Sequence, residues 1–257
     1  MQRFRPGPGS AGVWLAGVLC CTATADARRV IVPVSKDNTL FGPFKASFSN
    51  GAGPSVFAGS TRNFGPRRAL LQFALTDSVP PLVHIDSVRV RLHLNRTTTG
   101  TTVQGLHRLL QNWGEAGSIS LGGAGVLALT GDATWSHAFF DSVAWNTPGG
   151  DFTATPSATA SVGSDTRDYF WGSTPALVAD VQAWVDDPTA NFGWILIGDE
   201  GTPSAKRFDS RQSVAPELRP ELIIDYSPRS PVEVRTWGWA MLQLSRRGTA
   251  APPKRGQ

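Results

Sequence analysis

The chain has 257 residues, a formal net charge of +4 and a pI near 9.5. Its 2 cysteines, Cys20 and Cys21, both lie in an N-terminal apolar run. Once that run is removed, disulfides, thiolate zinc sites and cysteine nucleophiles are all excluded. Residues 28–226 carry 16 Lys and Arg against 18 Asp and Glu, whereas residues 227–257 carry 6 against 1. The basicity therefore belongs to a tail, and the body does not read as a nucleic-acid binder.

Residues 1–27 predict a secretory signal peptide. Arg3 and Arg5 give a basic start, AGVWLAGVLCC is a short apolar run, and Ala25 and Ala27 have the small-residue spacing of a cleavage site. The run is about half the roughly 20 residues a spanning helix needs, so no stable membrane span is expected. Neither cysteine follows the small residues of a lipoprotein site. The expected location is secreted: extracellular, at the cell surface, or periplasmic.

The body, residues 28–226, reads as strands. RVIVPV (29–34) is a plausible first strand and RALLQFAL (68–75) alternates through Leu71, Phe73 and Leu75. In HIDSVRVRLHLN, Val88, Val90, Leu92 and Leu94 fall on one face, and Arg89, Arg91, His93 and Asn95 on the other. GEAGSISLGGAGVLALTGD (114–132) has no charge between Glu115 and Asp132 and is expected to be a long flexible loop with the core running around it. STPALVADVQAWVDDP predicts the one helix, with Thr174 as N-cap, Pro175 at the first position and Pro188 as the stop. Leu177, Val178, Val181, Trp184 and Val185 form its apolar face. FGWILIG (192–198) is apolar throughout, as in a strand covered on both faces, and ELIIDY (221–226) is a plausible last strand. The fold expected is all-β, a β-sandwich of jelly-roll type with one short helix. Residues 227–257 are expected to be a basic, Pro-rich tail. Its TWGWAMLQLSRR run has the outline of a sorting signal but is too short and lacks a leading motif.

Signatures of chemistry are missing. There is no G-x-S-x-G elbow, no H-E-x-x-H and no P-loop. Gly123-Ala124-Gly125 with Ala128 is a degenerate dinucleotide fingerprint lacking its strand, helix and acid. His84, His93, His107 and His137 have no ligand spacing. Asp186-Asp187 and Asp199-Glu200 read as solvated caps; with Asn191 and Asp209 they leave open a structural calcium ion, though no calcium-loop spacing is present. Asn95-Arg96-Thr97 is a sequon of the kind chance supplies. No cofactor and no catalytic residue is assigned, and metal ligands stay unassigned.

Aromatics and arginines remain. Burying one tryptophan is worth roughly 4–6 kcal/mol as an upper bound, an expected source of stability without disulfides. Trp184 and Trp194 lie on apolar patterns and read as core. Trp113, Trp135, Trp145 and Trp171 lie beside turns, where they serve either as structure or as sugar-stacking platforms. Arg67-Arg68 and Lys206-Arg207 with Arg211 are the basic clusters of the body. Arginine binds carboxylates in bidentate fashion, so an acidic polysaccharide is a sensible partner, with internal salt bridges as the alternative. The ligand-binding candidates are Arg67, Arg68, Arg211, Trp113, Trp135 and Trp145. TWSHAFFDSVAWNTPGGDF, which holds two of these tryptophans, reads as a scaffold corner closed by a Pro-Gly-Gly-Asp turn.

The ordered segments SKDNTLF, NGAGPSVFAG, RRALLQFAL, LHRLLQNWGE, GDATW, WNTPGGDF, ADVQAWVDDPTANFGWIL, AKRFDSRQ and RPELIIDY resemble the DNRLRE domain of bacteria and archaea over about residues 31–226. That family is related to the C-terminal part of disaggregatases and is classed among carbohydrate-binding modules. The resemblance implies a jelly-roll sandwich on secreted or surface proteins, with polysaccharide, including uronic-acid polymers such as alginate, as ligand. Two positions depart from the family pattern: Phe41-Gly42 follows where an acidic residue is common nearby, and Gln212 stands where glutamate is usual. The function expected is a secreted, non-catalytic carbohydrate-binding or matrix module. The alternatives are a polysaccharide-cleaving enzyme of disaggregatase or lyase type, and a purely structural adhesion domain.

Overall fold

The structure, a computed structural model, describes residues 27–63 and 65–229. The expected signal peptide and nearly all of the expected tail lie outside the described residues. Fourteen strands and one long helix are present among those described. They are β1 (Arg28–Phe41), β2 (Phe48–Ser49), β3 (Ser55–Thr61), β4 (Gly65–Phe73), β5 (Val83–Thr97), β6 (Thr102–Arg108), β7 (Val126–Leu127), β8 (His137–Phe139), β9 (Val143–Ala144), β10 (Ala158–Val162) and β11 (Arg167–Gly172). The helix α1 (Pro175–Asp186) is followed by β12 (Trp194–Ile197), β13 (Lys206–Asp209) and β14 (Glu221–Pro228).

β1 is shared between two partners. Arg28–Pro33 pair with β14, and after an irregularity between Val34 and Lys36 the rest pairs with β4. Because β14 also pairs with β5, β5 with β13, β13 with β3, and β3 with β4, the path returns to β1 and closes an antiparallel, barrel-like ring. Strands β12, β6 and β10 extend it from β4, and β11 adds to β5. The all-β expectation holds. Period-2 patterning builds the interior: Val88, Val90, Leu92 and Leu94 are all fully buried in the main core. Trp171, Trp184 and Trp194 join them, with the Trp184 and Trp194 rings 4.4 Å apart.

α1 forms as its sequence predicts. The Thr174 hydroxyl accepts the Leu177 N–H, Pro175 opens the first turn, and Leu177, Val181 and Trp184 are buried. The helix ends at Asp186, and Pro188 begins a short 3-10 turn.

A second core lies on the opposite face of β4 and β12. Register places Leu40 beside Arg68 and Asn38 beside Leu70, so this face presents Leu40, Leu70 and Ile195 to the segment between β6 and β10. Trp113, Ala133, Trp135, Ala138 and Trp145 complete it. β12 is therefore covered on both faces, with Trp194 and Leu196 in the first core and Ile195 in the second. The 114–132 segment is irregular but pinned, contrary to the expectation of a flexible loop. Asp132 is fully buried and accepts N–H groups from Ala116 and Leu129, while β7 pairs with β2.

Candidate functional site

The three nominated arginines do not share a face. Arg67 and Arg68 are neighbours on β4 and so point to opposite sides. Arg67 is fully buried, stacks over Phe41 at 4.7 Å and donates to the carbonyls of Gly65, Pro66 and Gly123. Burial pushes its guanidinium down to about 10. Arg68 forms a bidentate pair with Glu200 at 2.7 and 2.8 Å, donates to Gly149 O, and lies over the Trp135 and Phe152 rings. Arg211 pairs with Glu115 at 2.8 Å. Internal partners thus engage all three.

Trp113, Trp135 and Trp145 are scaffold in the same sense. Their exposures are 0%, 8% and 4%, which leaves no open ring face for a sugar to stack on. Trp113 Nε1 donates to Phe192 O and Trp145 Nε1 to Thr134 O. The corner around them is fixed by Asp151, whose carboxylate accepts from the Asn146 and Thr147 backbone N–H groups.

Five of the nine segments that carry the family resemblance contribute to one buried polar knot. Asn38 Oδ1 accepts from Ser49 Oγ and Asn50 N, and its Nδ2 donates to Gly114 O and Ala133 O. Glu115 accepts from Arg211 and from Gln212 Nε2, which also donates to Gly51 O. The amide at Gln212 is what lets it donate to a carboxylate and a carbonyl at once; a glutamate there would set two anions together. Asp37 is fully buried, accepting Arg211 N–H through Oδ2 while Oδ1 has no partner. Burial, the largest cause, pushes the Asp37 carboxyl up to about 8, with Glu115 adding to the rise and Arg211 opposing it. Burial also raises Glu115. This knot fastens loops from separate parts of the chain.

An open site lies where β3 and β5 end and β13 begins. One cleft of about 240 Å³ is lined by Phe57, Arg96, Thr98, Leu121, Gly122 and Arg207 among others, and a second of about 340 Å³ by Ser60, Arg62, Thr99, Pro203 and Ser204. Both include Thr61, Thr98 and Ala205, so they form one groove. Strict alternation along β5 would send Arg96 inward after Leu94. Instead Arg207 is opposite Arg96 while Phe208 is opposite Leu94, so Asn95 is an extra residue. This bulge leaves Arg96 exposed on the cleft wall beside Arg207. Arg207 Nε donates to Asn95 Oδ1.

Two like charges directly across a strand pair repel. Burial, then Arg96, lowers the Arg207 guanidinium, with Asp209 acting the other way. Among the described residues, Arg62, Arg96 and Arg207 make no ion pair. Beneath them the buried Lys206 ammonium donates only to the carbonyls of Thr99, Gly100 and Gly163. The groove is a cationic, hydroxyl-lined channel with an apolar lip, Leu121, that is 81% exposed. Arg207 stood in a basic cluster by sequence; Arg62 and Arg96 did not stand out, because the bulge that brings Arg96 there has no sequence signal.

The remaining candidates are dispersed. His84 contacts Asp86, His93 contacts Asp168, and His107 donates to Thr153 O. Asp186 pairs with Arg229, Asp187 caps Thr189, Asp199 caps Gly201, and Asp209 accepts from Ser213, so the acids considered for calcium do not converge. No group of three His, Cys, Asp or Glu among the described residues is placed to hold a metal ion. Tyr169 and Tyr226 are both buried, and the Tyr169 hydroxyl donates to Asp165 O. No helix among the described residues is long and apolar enough to cross a membrane.

No protein-family model matches the chain, and no curated protein matches it with significant similarity.

Proposed function

We propose that this chain is a secreted, non-catalytic carbohydrate-binding module that grips an anionic polysaccharide, of uronic-acid type, in the groove between Arg62 and Arg207. The observation that carries the proposal is the Arg96–Arg207 pair: two arginines, directly opposite on neighbouring strands, that form no ion pair among the described residues. A sugar carboxylate between them would relieve their repulsion and accept charge-assisted hydrogen bonds from both. The Thr61, Thr98 and Thr99 side chains offer hydroxyls for sugar hydroxyls, and Phe57 and Leu121 offer apolar surface for ring C–H groups. An open groove suits the interior of a chain better than an enclosed pocket would.

The finer fold reading belongs to the same proposal. We take the barrel-like sheet as a jelly-roll-type sandwich of the DNRLRE kind, supported by the convergence of Asp37, Glu115 and Arg211 from three separate resembling segments. The test is affinity for a polyuronate and for a neutral glucan at low and raised ionic strength. Wild type should bind the polyuronate, more weakly as salt rises, and Arg96→Ala with Arg207→Ala should abolish binding. Failure of wild type to bind any polyanionic polysaccharide at low salt would refute the proposal.

A further inference from the structure

A second open cleft, of about 420 Å³, is larger than either half of the basic groove and differs from it in charge. Its lining includes Arg68, Leu110, Thr147, Asp151 and Phe152. Arg68 is neutralised by Glu200, which leaves Asp151 as the uncompensated charge, so an anionic sugar is disfavoured here. The polar groups retain capacity. Three of the five guanidinium N–H groups of Arg68 are engaged, which leaves two donors beside the Thr147 hydroxyl and the Asp151 carboxylate. Leu110 is 58% exposed beside Phe152, giving the cleft an apolar wall.

The wall is rigid before any ligand arrives. Gly149 and Gly150 have φ of +96° and +107°, and a Cβ on Gly149 would lie 2.6 Å from Arg68 Nη1. Only glycine lets the turn approach the guanidinium this closely. The Arg68 plane is in turn held over Trp135 at 4.6 Å. The two sites are also joined in sequence: Glu200 clamps Arg68 here, and Pro203, Ser204 and Ala205 of the same loop line the basic groove.

We propose that this cleft is a second saccharide subsite that takes an uncharged, hydroxyl-rich sugar unit, so that the preferred ligand is an acidic heteropolysaccharide with charged and neutral sugars in one chain. This rests on the proposed binding of a polyanion in the basic groove. The neutral ring lies against Leu110 and Phe152, and its hydroxyls reach Arg68, Thr147 and Asp151.

The experiment compares binding of a homopolymeric polyuronate with that of a polysaccharide alternating uronate and neutral hexose. Thr147→Trp blocks the cleft from an exposed position, and Leu110→Ala removes its apolar wall. Both variants should weaken the alternating polymer about tenfold and leave the polyuronate unchanged. Unchanged affinity for the alternating polymer in both variants, with Arg96→Ala plus Arg207→Ala still losing both ligands, overturns the subsite and spares the groove. The opposite pattern overturns the groove, and with it the acidic heteropolysaccharide as ligand, leaving the cleft as a neutral-sugar site alone. Failure of wild type to bind either polymer overturns both.

Discussion

Replacing Asp37 with asparagine should remove most of the pH dependence of stability between about pH 5 and 8. The folded carboxyl titrates near 8 against an ordinary value of 3.8, because burial disfavours its anion. Between those values the folded state holds one proton that the unfolded chain has released. Stability is therefore greatest below the unfolded value, falls by about 1.4 kcal/mol per pH unit as pH rises, and levels off above the folded value. The full separation corresponds to about 6 kcal/mol. Glu115, raised in the same direction, adds to the slope. Lys36 acts in a different window: burial lowers it to about 8, so it returns stability only as pH rises from there toward 10.5. Asparagine keeps an oxygen for the Arg211 N–H and cannot ionise. Urea unfolding midpoints at pH 5, 6, 7 and 8 measure the effect. A slope reduced by about one proton's worth in the variant is expected, and parallel wild-type and variant curves would refute an un-ionised buried Asp37.

Other substitutions probe the remaining parts of the molecule. Trp113→Ala should cost about 3–5 kcal/mol in chemical denaturation, since it empties the second core and removes the ring that Lys36 covers at 4.2 Å. Gln212→Glu should cost about 1–3 kcal/mol at neutral pH and much less below pH 4, because it replaces a donor to Glu115 with a second carboxylate. Gly149→Ala should destabilise by about 1–3 kcal/mol and broaden or shift the Arg68 resonances, as the positive φ and the contact with Arg68 both resist a methyl group. Arg207→Ala should raise thermal stability slightly in the absence of ligand, by about 0.2–1 kcal/mol, while lowering polyuronate affinity. Gain of fold with loss of binding separates a site residue from a structural one.

The sequence by itself determined the class of fold, because strand and helix signals are local. Alternation from Val88 to Leu94 selects a buried face, the continuous apolar run at Trp194–Ile197 calls for cover on both sides, and Thr174-Pro175 starts the helix. It also displayed the segments that meet in the polar knot, though not that Asp37, Glu115 and Gln212 would meet there. Tertiary structure alone decided which arginines remain available. Arg67, Arg68 and Arg211 looked alike as charges, but Arg68 and Arg211 find acidic partners only when distant segments are brought together, and Arg67 adds the carbonyl of distant Gly123 to those of its neighbours Gly65 and Pro66. Arg96 belongs to the inward parity of β5 and reaches the groove through one extra residue at Asn95, a shift set by pairing with β13, 112 residues away from Asn95 along the chain. Likewise Trp113, Trp135 and Trp145 became core by covering the face of β4 opposite the barrel interior, while Trp171 joined the interior itself. Exposure and pairing are properties of the assembled surface, and no local pattern encodes them.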